Sequence, residues 1–219
     1  SAWLNLLYLQ ALRQSASIYK ALGMGAKSDP LLHKTTALAQ SIEKTFWDPK
    51  SKSWKDTAND PISVNALALL LTLRPDPDAV LAKEAVQKPM TARRSKTAPS
   101  PAQAVYALEA LIEADLRAEA LEIIRARWGA MIDRGATTLW QHWDGLSGSR
   151  ASGASASPVY LLPQLVLGIK PILTGWKKVR IAPLVGSLEF ARGAVPSPLG
   201  MVRVEWEKVG EDQLAVRVE

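Results

Sequence analysis

Leu4, Leu7, Tyr8, Leu12, Ile18 and Leu22 recur at helical spacing up to Gly23, which predicts a first helix over 3–22. A device then repeats along the chain. Asp29-Pro30, Asp60-Pro61, Asp76-Pro77, Ser100-Pro101 and Ser157-Pro158 each stand ahead of an apolar run. Asp or Ser at an N-cap accepts from backbone N–H groups that have no partner inside the helix. Proline suits the first helical position, where its missing N–H is no loss. Ser100 with Gln103 also has the spacing of a capping box. These signals predict further helices over 30–47, 62–73, 77–88, 101–114, 116–133 and 158–168. Leu121, Ile124, Trp128 and Met131 form the inner stripe of the helix 116–133, and Val105, Leu108 and Ile112 that of its predecessor. The linkers are mostly short, so consecutive helices read as antiparallel hairpins.

After Gly168 the period changes from that of a helix to that of a strand. Val179 and Ile181 alternate with Lys178 and Arg180; Leu188 and Phe190, then Val202, Val204 and Trp206, then Leu214, Val216 and Val218 follow. Ser197-Pro198-Leu199-Gly200 has the chemistry of a tight turn. Residues 171–219 are therefore expected to form a small antiparallel β module, with the chain dividing near residue 170. Such a module leaves two open edges and an incompletely covered face. Its last strand runs into Glu219, so either the helices cover it or more strands follow in a longer polypeptide. The opening Ser1-Ala2, in place of Met, raises the same expectation.

Composition narrows the chemistry. Of 219 residues, 47% are apolar and 22% charged, the balance of a globular domain. With no cysteine, disulfides and thiolate metal sites are excluded, and two histidines, His33 and His142, are too few for a histidine metal cage. The net charge of +6 favours anionic partners. However, the one dense run, Arg93-Arg94-Ser95-Lys96, has no interleaved aromatics and reads as a solvated loop, not a nucleic-acid patch. No run approaches the roughly 18 apolar residues of a membrane span.

The stretch TTLWQHWDG, residues 137–145, concentrates two tryptophans, an amide, an imidazole and a carboxylate just after a helix end at Asp133-Arg134-Gly135. Trp140 and Trp143 have two readings. Each could stack on a sugar ring, or plug the end of a helical barrel and bury ~150–250 Å². A lone loop histidine such as His142 more commonly serves neither as ligand nor as base. Asp144-Gly145 has the chemistry of a turn, although Asp144 is also the nearest carboxylate. Asp56, Asp60 and Glu109 are further acids near predicted helix ends, and Trp47 and Trp54 flank the turn signal Asp48-Pro49.

TTLWQHWDG, SASPVYLLPQLVLGIKPILTGWKKVRIAP and VPSPLGMVRVEW together resemble the C-terminal part of bacterial α-L-rhamnosidases, glycoside hydrolase family 78 and its six-hairpin relatives. Asn65-Ala66-Leu67-Ala68 and the pattern from Tyr106 to Trp128-Gly129 are similar too, and GIKP with GWKKVRIAP is the most specific part. The resemblance implies a mainly α fold followed by β. Residues 1–170 would be the second half of an (α/α)6 barrel of helical hairpins, and 171–219 a truncated C-terminal β-sandwich module. It implies a fragment, with the general acid and several sugar-binding acids in a missing first half.

The resemblance also implies that Gln141 occupies the place where the family commonly has the general-base Glu. Inverting hydrolysis needs two carboxyl groups roughly 6.5–9.5 Å apart with a water between base and anomeric carbon. An amide can orient that water but cannot take its proton. The segment Ser149–Ser155 departs again, lacking the histidine and tryptophan often found there.

The leading reading is thus a glycosidase fragment for terminal α-L-rhamnosyl or related residues, acting without cofactor or metal, with Trp140, His142 and Trp143 contacting sugar. On this reading the isolated chain is inactive. It either pairs with the missing half of the barrel or self-associates, and binds neither nucleic acid nor membrane. The alternatives are a degenerate carbohydrate-binding protein, or a lyase on a related toroid acting on an acidic glycan.

Overall fold

The structure, a computed structural model, describes residues 1–56, 61–71, 73, 83–91, 98–210 and 213–219. A helical first part is followed by small antiparallel sheets, and the chain divides into two compact units, Ser1–Ser155 and Ala156–Glu219. Among the described residues no helix is long and apolar enough to cross a membrane.

The first unit opens with α1 (Ala2–Ala21) and α2 (Gly25–Phe46), which fold against each other through a turn at Gly23 (φ 71°). The start of α1 is held from outside the helix. Ser1 Oγ accepts from Leu4 N–H (3.4 Å), and Asp56 Oδ2 accepts from Ser1 Oγ (2.9 Å) and Trp3 N–H (3.0 Å). α2 begins at Gly25, ahead of the expected cap at Asp29. Pro30 lies inside the helix but near its start, where only one backbone bond is forgone. Ser28 Oγ, donating to Ala16 O at 3.1 Å, fixes this turn against α1.

The buried face of α1 is Ala2, Leu6, Leu9, Leu12 and Ala16. The stripe that the spacing singled out is largely the other face, with Leu4 66% and Ile18 60% exposed alongside Tyr8 and Leu22. α1 is apolar on two sides, so period alone could not choose between them. Packing chooses the Leu6–Leu9 side, which joins Ile42, Trp54, Val64 and Leu67 in one core.

A short hairpin follows, β1 (Trp47–Asp48) with β2 (Ser53–Trp54). Trp47 and Trp54 pair across it with ring centroids 4.6 Å apart. α3 (Pro61–Leu70) is buried from Ile62 to Ala68. Inside it Asn65, 4% exposed, staples the hairpin to the helix. Its Oδ1 accepts from Trp54 N–H (2.9 Å), and its Nδ2 donates to Trp54 O (3.1 Å) and Pro61 O (2.7 Å).

Of the helix expected over 77–88, the described part is a π-helical turn, Lys83–Gln87, followed by α4 (Lys88–Thr91). Asp60, Asp76-Pro77 and the basic run 93–96 lie outside the described residues. Then come α5 (Ala104–Glu113), α6 (Arg117–Arg127) and α7 (Gly129–Asp133). Ser100 and Gln103 bond each other, Ser100 Oγ accepting from Gln103 N–H (3.4 Å) and donating to Gln103 Oε1 (3.1 Å). Leu121, Ile124, Trp128 and Met131 are buried as the period indicates. The inner face of α5 is instead Ala104, Ala107, Leu108, Ala110 and Leu111, with Val105 and Ile112 half-buried.

The second unit starts with α8 (Ser157–Leu162) and a π-helical turn, Pro163–Leu167, closed by Gly168 at φ 71°. A Cβ at Gly168 would lie 2.0 Å from the Ala182 carbonyl carbon, so the backbones touch where a side chain would be. β3 (Ile169–Pro171) pairs with β4 (Val179–Ile181). β5 (Phe190–Ser197), β6 (Gly200–Lys208) and β7 (Leu214–Val218) form an antiparallel three-stranded meander. Ser197 pairs with Gly200 across the expected turn, and Gly200 takes φ 125°.

Leu167, Ile169, Val204 and Trp206 form the core of this unit, with Trp206 Nε1 donating to Val166 O at 2.9 Å. The alternation read in β6 is observed, but in β5 it is offset by one. Phe190 is 65% exposed, and Ala191 and Gly193 lie opposite Trp206 and Val204. The reason is room: a Cβ at Gly193 would sit 2.7 Å from Leu167 Cδ1, so large inward residues on β6 face small ones on β5.

Candidate functional site

The residues singled out in TTLWQHWDG lie in one loop between α7 and the end of the first unit, built on Trp128. The Trp128 indole Nε1 donates to Ser155 O at 2.9 Å, which ties the far end of the loop to the helix. The ring meets Trp143 edge-on, centroids 4.9 Å apart and planes at 86°. Trp143 Nε1 donates to Pro99 O at 2.7 Å, and the Arg127 guanidinium lies 5.5 Å from its ring centroid. Arg127 is itself held by Met90 O (2.8 Å), and burial lowers its pKa from the ordinary arginine value.

Trp140 is 8% exposed. Arg134 lies over it at 4.9 Å, and Gly145 approaches so closely that a Cβ there would be 2.4 Å from the ring. Gly145 has φ 65°, so it meets both requirements of the turn. Arg134 also donates to Ala130 O (3.0 Å), Asp144 O (3.2 Å) and Trp143 O, joining the helix end to the loop.

Gln141 and His142, between the two tryptophans in sequence, are exposed. Gln141 is clasped to Ser149 by two bonds, its N–H donating to Ser149 O (2.9 Å) and its Oε1 accepting from Ser149 N–H (2.9 Å). Its –NH2 has no partner among the described residues. Gly148 permits the clasp, since at φ 70° a Cβ there would lie 2.7 Å from Gln141 Oε1 and 2.8 Å from His142 Cδ2. Leu139 O accepts from Ser152 N–H at 2.8 Å, and Arg150 Nε donates to Gly145 O at 3.2 Å. The loop can therefore present an amide donor and an imidazole on a backbone held by these bonds.

The other candidates have local partners. Asp144 Oδ1 accepts from Leu146 N–H (3.0 Å), a turn bond. Asp56 caps α1, and Trp54 is buried in the core of the first hairpins. Glu109 adds its charge to burial in raising the Tyr106 hydroxyl pKa. Sequence reasoning missed Arg127, Arg134, Pro99 and Ser149. Arg134 stands in the helix-end signal Asp133-Arg134-Gly135 and could have been found there. The Pro99 carbonyl carries no signal of its own.

Residues 4–159 match the six-hairpin glycosidase domain of bacterial α-L-rhamnosidases, and residues 168–219 match the C-terminal domain of bacterial α-L-rhamnosidases. The helical unit, the strands and these matches define a glycoside hydrolase domain of the helical-hairpin class. The chain belongs to the bacterial α-L-rhamnosidase family. An α-L-rhamnosidase of Alteromonas sp. (strain LOR) is 36% identical over 90 residues, 36% of this chain and 10% of that protein. The crystal structure of a GH78 family rhamnosidase of Bacillus sp. GL1 aligns with TM-score 0.83 at 26% identity, over 97% of this chain and 24% of that one. An α-L-rhamnosidase structure from Dictyoglumus thermophilum aligns with TM-score 0.80 at 20% identity, over 98% and 25%, and shows the fold alone. The chain thus spans about a quarter of the length of these solved structures.

Proposed function

We propose that residues 1–170 are the second half of the catalytic helical ring of an inverting glycoside hydrolase for terminal α-L-rhamnosyl or related residues, with 171–219 a β-sandwich module behind it in sequence and loop 137–150 on the wall of the sugar pocket. The observation that carries this is the Gln141 clasp: an exposed side chain, its backbone pinned to Ser149, in a loop anchored by the Trp128–Trp143 contact and the buried Trp140. In this reading Gln141 stands at the general-base position. Its –NH2 can donate to a water or a sugar hydroxyl, but the amide cannot remove a proton. A glutamate there would keep the Ser149 N–H bond through one oxygen and free the other to activate water. Trp143 and His142 contact the sugar, while Trp140, 8% exposed, mainly packs the loop. No cofactor is needed.

The test is hydrolysis of an aryl α-L-rhamnoside by these 219 residues, by the whole polypeptide and by its Gln141→Glu variant. The isolated chain should show no turnover, and Gln141→Glu should raise the turnover of the whole polypeptide by ~10²–10⁴-fold, the usual worth of a positioned base. Robust hydrolysis by the isolated chain, or no gain from the glutamate, defeats the reading.

A second reading, a carbohydrate-binding protein that has lost catalysis, is favoured by Gln141 together with the Ser/Ala-rich segment 149–157, which has no imidazole or aromatic ring. Binding of rhamnosides without turnover in the Gln141→Glu variant would select it.

A further inference from the structure

The β5–β6–β7 sheet holds a concavity of about 510 Å³ that runs over Gly193, Ala194 and Val204 and is walled by Arg192, Arg203, Glu205, Arg217 and Glu219. The strand register makes an ordered array of these side chains. Arg192, Glu205 and Arg217 lie directly opposite one another across the three strands. In the next row Arg203 lies between Ala194 and Glu219, exchanging backbone bonds of 2.8 and 3.0 Å with Glu219. Ala194 supplies no bulk in that row, which leaves the dip.

Arg217 is ion-paired with Glu219. Arg192 and Arg203 are different. Among the described residues neither guanidinium has an ion pair or side-chain hydrogen bond, although Glu205 stands opposite Arg192, where cross-strand opposite charges commonly meet.

We propose that this face is a second carbohydrate site, which takes the carboxylate of a uronic acid residue in a glycan. A guanidinium presents a planar fork that matches the two coplanar oxygens of a carboxylate, and Arg192 and Arg203 both offer that fork unused. Of the three arginines only Arg217 has an acid partner among the described residues, and the two unpaired forks suit one carboxylate. A nucleic-acid strand would bring its closely spaced phosphates against Glu205 at the centre of the row. The same Glu205 can accept from sugar hydroxyls beside the carboxylate. Membership of a glycosidase family makes the saccharide the natural bearer of that group. The site lies in the strand unit and does not depend on the role of Gln141.

The experiment is titration of the 219-residue chain with hexagalacturonate at two salt concentrations, followed by calorimetry and backbone NMR shifts. The shifts should map to β5, β6 and β7, with affinity falling as salt rises. Arg192→Gln with Arg203→Gln should weaken binding at least about tenfold, the scale of a lost charge-assisted bond. Arg192→Lys with Arg203→Lys, which keeps the charge but not the fork, should recover only part of it. Both positions are exposed, so unchanged near-ultraviolet circular dichroism should accompany either pair. A neutral oligosaccharide of equal length should not bind. The proposal is overturned by absent binding, by equal affinity in the double-Gln variant, or by shifts that map to loop 137–150. Dextran sulfate or a DNA oligonucleotide binding as tightly would also overturn it, showing a general polyanion patch.

Discussion

Asp48 shows how much a single turn residue can be asked to hold. Its carboxylate accepts from Ser51 Oγ (2.8 Å) and Lys50 N–H (3.0 Å) and pairs with Lys55, and these partners, Lys55 first, lower its pKa from 3.8 to about 2. The folded value is below the unfolded one. The contribution of Asp48 is therefore present above about pH 4 and is lost as pH falls from there towards about 2. Asp48→Asn should lower the melting temperature at neutral pH, and the difference from the unmodified chain should close across that acid window. Legibility at this scale is uneven. The stretch TTLWQHWDG announces itself by residue type, because two tryptophans rarely share a loop with so many polar groups. What fixes them is invisible in it: Pro99, whose carbonyl holds Trp143, is separated by 44 positions and contributes only backbone.

Secondary structure was most readable where one face alone is apolar, as in α6 and β6. It was least readable where packing had to choose. α1 offers two apolar faces, and β5 could have turned Phe190 or Ala191 inward; the decision came from Leu167 filling the space above Gly193. Proline before an apolar run marks the first turn of α8, although Ser157 is already helical there and its hydroxyl makes no cap bond among the described residues; at α2 the same signal falls inside the helix, whose first turn is anchored by Ser28 on Ala16. The link between the β1–β2 hairpin and α3 rests on one amide. Asn65→Ala would leave the buried Trp54 N–H and C=O short of partners and should cost about 2–4 kcal/mol in chemical denaturation. Asn65→Asp would keep the acceptor and lose both donated bonds, so it should also destabilise. Hydrogen exchange at the Trp54 amide should accelerate in Asn65→Ala, which removes its acceptor, and much less in Asn65→Asp, which keeps it.

For the molecule as a whole, the outward stripe of α1, Leu4, Tyr8, Ile18 and Leu22, and the half-exposed Val216 and Val218 of β7 are apolar surface that water covers poorly. We expect the isolated chain to associate through the α1 stripe, with itself or with further helices of a longer polypeptide. Leu4→Lys with Ile18→Lys should raise the monomer fraction in sedimentation while moving stability by only about 0.5 kcal/mol, as exposed sites do. A chain monomeric at every concentration before substitution would refute this. The contact of Gly168 with Ala182 has a different consequence, in the freedom the sequence has to drift. In a randomised library selected for folded protein, position 168 should return glycine alone. Gly175, with the same φ of 71° but nothing within 4 Å of its missing Cβ, should admit asparagine and aspartate. The two glycines differ only in what stands beside them, so one is a dead end for substitution and the other an open door.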